Sequence, residues 1–227
     1  MRTGCLPVII LGILLLLPFF LANAMLVALG KLGLGPTSSL LAAIGIFVGG
    51  TINVPLTTIE REETVEYMPF QMMGLERFLG PVRQRRVTVI AVNLGGCVLP
   101  TALAVYQVVR LAGMDPFLLA ATLLAVLVNV GLCYVFARPV EGVGITMAPI
   151  VPAGAAVLSA LLLAPEWAPP VAFTAGVLGP LIGADLLHLD DIASIGTGMA
   201  SIGGAGTFDG IVLSGLVAVL LTPGIGG

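Results

Sequence analysis

Two aspartates stand out because each lies in a long apolar stretch near the C-terminal end of the chain. Asp185 occurs in Gly179-Pro-Leu-Ile-Gly-Ala-Asp185-Leu-Leu, and Asp209 occurs in Gly203-Gly-Ala-Gly-Thr-Phe-Asp209-Gly-Ile. A carboxylate at membrane depth costs about 2.5–3.5 kcal/mol even on insertion scales, so such residues usually face a protein interior or a water cavity and have a function. Both aspartates are therefore candidate catalytic residues.

If the two carboxylates meet in a low-dielectric interior, like charge prevents both from ionising, so they should share one proton and titrate as a coupled pair. Such a pair can activate water, because one aspartate takes a proton from the water while the other, protonated, polarises a carbonyl group. The alternative is structural. Each aspartate could instead cap a broken helix or accept hydrogen bonds from main-chain N–H groups beside the glycines.

The rest of the chain has the composition of a membrane protein. Hydrophobic residues make up 58% of its 227 positions and charged residues 9%, with a mean hydropathy of +1.14. A spanning helix needs roughly 20 mainly apolar residues. The sequence therefore predicts one all-α transmembrane domain over residues 1–227, a helix bundle with seven spans at about 5–29, 36–57, 87–109, 116–137, 143–164, 169–188 and 196–222.

The C-terminal half is rich in Gly and Pro, which predicts broken helices there. Pro149 and Pro152 should kink the fifth span or interrupt it with a non-helical piece. Spans six and seven form a hairpin, and a fully helical seventh span would lift Asp209 roughly 20 Å above the turn, away from Asp185. The two aspartates reach similar depth if the small-residue run 196–206 is irregular or re-entrant. Irregular backbone at that depth is tolerated only where it is buried or lines a cavity.

Basic residues fall unevenly between the two sides of this topology. One side receives seven of the nine, Arg2, Arg61, Arg77, Arg83, Arg85, Arg86 and Arg138, while the other receives only Lys31 and Arg110. The positive-inside rule then places the N-terminus in the cytoplasm and the C-terminus outside, and Trp167 suits an interfacial anchor on the outer side.

The first span also imitates a cleavable signal peptide, because Arg2 and an apolar run precede Ala22-Asn23-Ala24. The apolar run, however, continues to Leu29 and reaches spanning length, which favours a retained helix.

The stretch from Glu60 to Arg86 is the only substantial polar region and is predicted to be a cytoplasmic amphipathic loop at about 59–86. Its apolar residues between Met68 and Leu79 could lie on the membrane as an interfacial helix, with Arg83 to Arg86 against lipid phosphates. The alternative is a Met-rich surface that recruits a substrate or a partner.

A second set of groups could support the aspartates. Intramembrane asparagines usually form hydrogen bonds between helices, but they could also line the same cavity. Both interpretations apply to Asn53, Asn93 and Asn129. The candidate supporting residues are Asn53, Asn93, Gly183, Gly203, Gly204, Gly206, Thr207 and Gly210.

Other chemistries find little support in the sequence. His188 is the only histidine and has no cluster of ligands around it, so no metal site is predicted. No glycine-rich stretch occurs in a strand–turn–helix context, so no cofactor is predicted. No basic cluster resembles a nucleic-acid surface. Cys5, Cys97 and Cys133 lie singly in apolar segments and are interpreted as small buried hydrophobes.

Several of these motifs together carry a family resemblance. The runs around Asp185 and Asp209, with Asn93-Leu-Gly-Gly96 and Gly142-Val-Gly144-Ile upstream, resemble the DUF1614 family of bacterial and archaeal multi-span membrane proteins. The resemblance covers the chain from about Gly49 onward. It implies the inner membrane of a prokaryote and no function, since the family has none assigned.

The paired aspartates are also similar to those of the presenilin and prepilin-peptidase type of intramembrane aspartyl protease. Those enzymes carry the second aspartate in Gly-x-Gly-Asp, whereas this chain has Gly206-Thr-Phe-Asp209 and no Pro-Ala-Leu element after it. The resemblance implies a fold-level analogy only.

The function predicted from these observations is an intramembrane aspartyl protease or related hydrolase, with Asp185 and Asp209 as the catalytic pair. Its partners would be the lipid bilayer and transmembrane protein substrates. Two alternatives stay open: a proton- or cation-coupled transporter that uses the same aspartates, and a non-catalytic membrane assembly protein.

Overall fold

The computed structural model describes residues 6–65, 82–140, 144–194, 198–204 and 209–224. Within them the helices are α1 (Leu6–Lys31), α2 (Pro36–Gly49), α3 (Leu99–Ala112), α4 (Pro116–Phe136), α5 (Ile150–Leu163), α6 (Ala168–Gly179), α7 (Leu189–Ser194) and α8 (Gly210–Leu221). The strands are β1 (Asn53–Val65), β2 (Val82–Asn93), β3 (Arg138–Val140), β4 (Gly144–Thr146) and β5 (Met199–Ile202).

Irregular helical segments adjoin two of these helices. A π-helical turn, Leu94–Val98, leads into α3, and a second, Pro180–Asp185, continues α6. Short 3₁₀ turns, Pro165–Trp167 and Leu186–His188, precede α6 and follow the second π-helical turn. A π-helical turn is rare and marks a position where the helix widens, often at a functional site.

Three continuous helical stretches are long and apolar enough to cross a membrane, namely Leu94–Ala112, Pro116–Phe136 and Pro165–Asp191. Shorter apolar helices in the described part of the chain are Phe19–Lys31, Pro36–Gly49, Ile150–Leu163 and Gly210–Leu221. Large apolar side chains on the outer faces, such as Phe117, Leu127 and Val135, are exposed, as expected where lipid is the solvent. The count of seven spans stays a prediction.

Helix α6 is the centre of the molecule, and most of its residues are buried. On one side, Phe173 and Val177 pack with residues of α1, α2 and α8. On the other side the core is made largely of alanines from α4, α5 and α6, and such small residues let membrane helices approach closely. Cys97 and Cys133 are free and buried, as predicted, whereas Cys5 lies outside the described residues.

Lys31, Arg110 and Trp167 were predicted to lie on one side of the membrane, and all three make contacts near helix ends. Lys31 Nζ donates to the carbonyl oxygens of Leu220 (3.2 Å) and Thr222 (2.7 Å), so the ends of α1 and α8 meet. The Arg110 guanidinium lies over the Trp167 ring at 5.7 Å and donates to Leu32 O at 2.7 Å. These contacts bring Lys31, Arg110 and Trp167 to one end of the bundle.

The prediction of an all-α fold is wrong in part, because strands replace the ends of four predicted spans, the second, third, fifth and seventh. The span predicted at 36–57 stops being helical at Gly49, and the one at 87–109 begins with β2. The run Val87-Thr-Val-Ile-Ala-Val92 is rich in β-branched residues, which favour strands. Hydropathy alone does not distinguish a buried strand from a spanning helix.

The predicted loop at 59–86 is also corrected. Its two flanks form an antiparallel ladder between β1 and β2, in which Asn53 pairs with Asn93 and Val65 pairs with Val82. The arginines between Arg83 and Arg86 therefore belong to a strand. Residues 66–81, with most of the proposed interfacial helix or Met-rich surface, lie outside the described residues.

The C-terminal half is broken as predicted. The fifth span begins with strand β4, and helix α5 starts only after Pro149. The seventh begins with strand β5, and helix α8 starts at Gly210. Strand β5 pairs parallel with β2, which gives a three-stranded sheet in the order β1-β2-β5. This sheet places β5 beside the ends of α6 and α8, where the aspartates lie.

Candidate functional site

Asp185 lies at the end of the π-helical turn that continues α6. Gly183, in the same turn, packs against α4 so closely that a Cβ there would overlap the carbonyl oxygen of Val130 and come within 2.8 Å of Cys133 Cβ. The Gly183 carbonyl is 3.1 Å from His188 Nδ1, which holds the next turn of chain. Close packing and the widened turn thus fix a partly buried Asp185.

Asp209 is the N-cap residue of α8. Its backbone is extended, and its Oδ1 accepts a hydrogen bond of 2.9 Å from the main-chain N–H of Ile211. The first N–H groups of a helix have no partner within the helix, so a carboxylate at this position both caps the helix and gains from its dipole. The capping interpretation of this aspartate therefore holds.

Both aspartates line the same cavity, which has a volume of about 380 Å³. Its remaining walls are strand β5 with the following turn and part of strand β4, and the lining residues are Asn53, Gly144, Ile145, Met199, Ala200, Ser201, Ile202, Gly203 and Gly204. Two acidic groups from separate helices thus face one polar space.

A second cavity of about 230 Å³ also reaches both aspartates. It is lined by the β4–α5 connection, the second π-helical turn and the start of α8. Apart from the two aspartates and Thr146, its side chains are apolar, namely Ile145, Met147, Pro149, Pro180, Ala184 and Ile211, and we call it the apolar cavity. The two carboxylates therefore line both cavities.

A network of polar side chains holds the part of the polar cavity that Asn53 and Ser201 line. Asn53 Oδ1 accepts hydrogen bonds from Asn93 Nδ2 (3.0 Å) and from Ser201 Oγ (2.6 Å). Asn93 is fully buried, and it also donates to Gly50 O at 2.8 Å and accepts from the Gly96 N–H at 2.7 Å. These bonds join the ends of β1 and β2, the first π-helical turn and strand β5.

The main chain of β5 is held in place by contact between two glycines. Gly203 has a positive φ of +69°, which L side chains rarely adopt, so glycine is favoured at this turn. A Cβ on Gly96 would overlap the carbonyl oxygen of Gly203, and a Cβ on Gly203 would lie 2.7 Å from Cys97 N. The first π-helical turn and the turn after β5 therefore touch backbone to backbone.

The predicted supporting residues divide by position. Asn53, Gly203 and Gly204 line the polar cavity, and Gly210 lines the apolar one. Asn93 and Gly183 act from behind, through Asn53 and through packing on α4. Gly206 and Thr207 lie outside the described residues.

The other singled-out polar residues have structural roles. Asn129 Nδ2 donates to Pro152 O (3.1 Å) and Ala175 O (2.7 Å), so it forms the predicted hydrogen bonds between helices. His188 is buried, and its ring lies 4.9 Å from the Tyr134 ring. Over the described ranges, no group of three or more His, Cys, Asp or Glu side chains is placed to hold a metal ion.

Sequence reasoning missed Ser201 and the strand that carries it. Ser201 lies within the small-residue run 196–206, which was expected to be irregular, but one serine among glycines and alanines gives no signal of its own. Gly144 belongs to a motif of the family resemblance, yet its position in the cavity wall depends on the β3–β4 pairing.

We expect Asn93→Ala to destabilise the protein and to release the cavity wall. It removes a buried amide with three hydrogen-bonding partners, and each buried group left unpaired costs about 1–3 kcal/mol. Thermal unfolding in detergent measures the loss of stability.

Asn129→Ala is the matched control, because it removes an equally buried asparagine whose side chain bonds Pro152 O and Ala175 O. Each replacement is combined with Ser201→Cys, and the rate at which the new thiol reacts with a membrane-impermeant reagent is measured in opened vesicles. Only Asn93→Ala should raise this rate. Equal rates in the Asn93→Ala and Asn129→Ala proteins would contradict the network.

Comparison with known proteins gives one match. The sequence model of a family described as "Protein of unknown function (DUF1614)" matches residues 47–221, close to the extent expected from the motifs. No curated protein matches the chain, and no solved structure does. Both aspartates and the elements around the two cavities lie within the matched range.

Proposed function

Because the chain belongs to the DUF1614 family, for which no function is assigned, we infer its activity from the candidate site. We propose that the protein is an intramembrane aspartyl hydrolase that cleaves peptide bonds. The observation that supports this is the position of Asp185 and Asp209, which come from separate apolar segments and line both cavities. A carboxylate pair that lines two cavities, one of them lined otherwise mainly by apolar side chains, can bring water and an apolar substrate to the same point.

The two aspartates are not equivalent, and this assigns their roles. The N–H of Ile211 and the N-terminal end of α8 stabilise a negative charge on Asp209, so Asp209 is the base. Asp185 is partly buried at the end of the second π-helical turn, and burial favours the neutral form of a carboxyl group, so we assign the shared proton to Asp185. Paired carboxylates of this kind hold one proton between them.

The proposed reaction has two steps. Asp209 takes a proton from water, whose oxygen bonds to the carbonyl carbon, while Asp185 gives its proton to the carbonyl oxygen. In the second step the C–N bond breaks. The nitrogen receives the proton from Asp209, and a hydroxyl of the intermediate returns a proton to Asp185. The products are a carboxylic acid and an amine, and both aspartates regain their starting states.

The test is reconstitution of the wild type, Asp185→Asn and Asp209→Asn in the same kind of vesicle. Cleavage of synthetic transmembrane peptides is followed by mass spectrometry. We expect cleavage by the wild type and a loss of about 10²- to 10⁴-fold in each variant, because each removes one acid–base group. Ser39→Ala is a control that removes a polar group from a buried residue outside the lining of both cavities, and it should cleave normally.

Solute and proton flux are measured in the same vesicles. Flux that depends on both aspartates, without cleavage, would replace the hydrolase by a carrier, since carriers also place acidic groups at membrane depth. Equal behaviour of all three proteins in both assays would overturn both functions and favour an assembly role.

A further inference from the structure

Strand β5 has one edge paired and one edge facing away from its sheet. It lies parallel to β2, with Met199 opposite Val89 and Ile202 opposite Val92. Within the part of the chain that the structure describes, no strand pairs with the other edge of β5. A strand edge presents a row of main-chain N–H and C=O groups that can pair with another extended segment.

The hydrogen-bond pattern identifies which residues face the unpaired edge. The N–H of Val89 donates to Gly198 O at 3.2 Å. In a parallel ladder, alternate residues bond the same neighbour, so Gly198 and Ala200 turn their main-chain groups to β2 while Met199 and Ser201 turn theirs away. The Ser201 carbonyl accepts from the Gly204 N–H at 2.9 Å. The N–H and C=O of Met199 and the N–H of Ser201 therefore form the edge.

These residues also line the polar cavity that holds Asp185 and Asp209, and Gly144 and Ile145 of strand β4 line the same cavity. An edge with two donors and an acceptor thus lies beside the carboxylate pair.

On the premise that the proposed hydrolase is correct, we propose that its substrate is an unwound segment of a transmembrane polypeptide that binds as an added strand along Met199 and Ser201. A helical peptide bond is already hydrogen-bonded within its helix, so it must unwind before water and the carboxylates reach it. Unwound backbone at membrane depth is unfavourable unless each polar group finds a partner, and this edge supplies partners. Addition of a strand to an exposed edge is a general mode of peptide recognition.

The apolar cavity gives the proposed substrate its side-chain preference. Successive side chains of a strand point to opposite sides, so one residue next to the cleaved bond would face Ile145, Met147 and Ile211. We expect an apolar side chain at that position, and a charged one there should be excluded.

The edge is tested by a proline that removes one donor. Met199→Pro deletes the N–H that faces away from β2, and Met199→Ala removes the side chain while keeping that N–H. Each is assayed by circular dichroism and by cleavage of a synthetic transmembrane peptide of Leu and Ala with a central Gly. We expect both variants to stay folded and Met199→Pro to cleave roughly tenfold more slowly than Met199→Ala, the value of one hydrogen bond. Equal cleavage by the two variants would overturn the proposal.

A binding measurement separates this inference from the proposed function. The same peptide, with a ¹³C carbonyl at the central residue, is added to Asp185→Asn in vesicles, and its isotope-shifted infrared band is recorded. A band at the position of paired β-strand supports strand addition, even if the wild type cleaves nothing and the hydrolase is rejected. A band at the position of a helix would overturn strand addition. So would a band at the position of a strand that Met199→Pro does not alter. Neither result would affect the interpretation of any observed cleavage.

Discussion

The double variant Asp185→Asn/Asp209→Asn is expected to cleave peptides no more slowly than either single variant. Each single replacement should lower kcat by about 10²- to 10⁴-fold, and residues that act as one unit do not add their effects. In the proposed reaction the proton on Asp185 and the base at Asp209 act on the same intermediate. Once either is lost, the other has no reaction left to assist.

Single-turnover cleavage of the central-Gly peptide by the four proteins gives this comparison. Circular dichroism and thermal unfolding show whether each variant is folded, which matters for Asp209→Asn because it alters the N-cap of α8. Asparagine is also a good N-cap residue, so that helix should persist. Losses that multiply in the double variant would mean that the two aspartates act independently, as in separate ion sites, and not as a pair.

The sequence alone identifies the two aspartates as candidates because the cost of a carboxylate in an apolar run is local. It needs no knowledge of what the side chain finally contacts. The same holds for the break in the fifth span, since Pro149 and Pro152 remove main-chain donors wherever they occur. These features depend on short stretches, and the structure has the expected interruption between β4 and α5.

The sheet was not predicted because its evidence is spread along the chain. A 20-residue hydropathy window treats the β-branched run before Asn93 and the helix after it as one apolar span. Strand β5 pairs with β2 across nearly half of the protein, and Ser201 bonds Asn53 at a separation of 148 residues. Such contacts depend on the whole fold.

Glycine contacts are a second case in which the sequence is silent. Gly96 and Gly154 look alike in sequence, since each lies among apolar residues. In the structure, a Cβ on Gly96 would overlap Gly203 O, whereas a Cβ on Gly154 would have no neighbour within 4 Å. The three-dimensional fold distinguishes Gly96, which allows two backbones to touch, from Gly154, which faces open space.

This difference leads to the largest expected effect on stability. Gly96→Ala should lower the free energy of unfolding by about 3 kcal/mol and abolish cleavage by the folded fraction. The clash is between two main-chain segments, so no side chain can turn aside, and overpacking in such a place costs about 1–3 kcal/mol or more. Relief requires the turn Gly203–Gly204 to move, and that turn forms a wall of the polar cavity. Thermal unfolding in detergent and cleavage in vesicles measure the two effects.

Two other alanine replacements separate stability from the site. Gly154→Ala, in α5, should be neutral or stabilising by up to about 1 kcal/mol, because alanine favours a helix and meets nothing there. Gly95→Ala, in the same π-helical turn as Gly96, overlaps Ile46 O and Gly50 N in the α2 end of the molecule. It should destabilise to a similar extent, yet its folded fraction should keep more activity than that of Gly96→Ala, because its clash lies away from Gly203. If both folded fractions cleave at the same rate, backbone contact between Gly96 and Gly203 does not position the strand beside the aspartates.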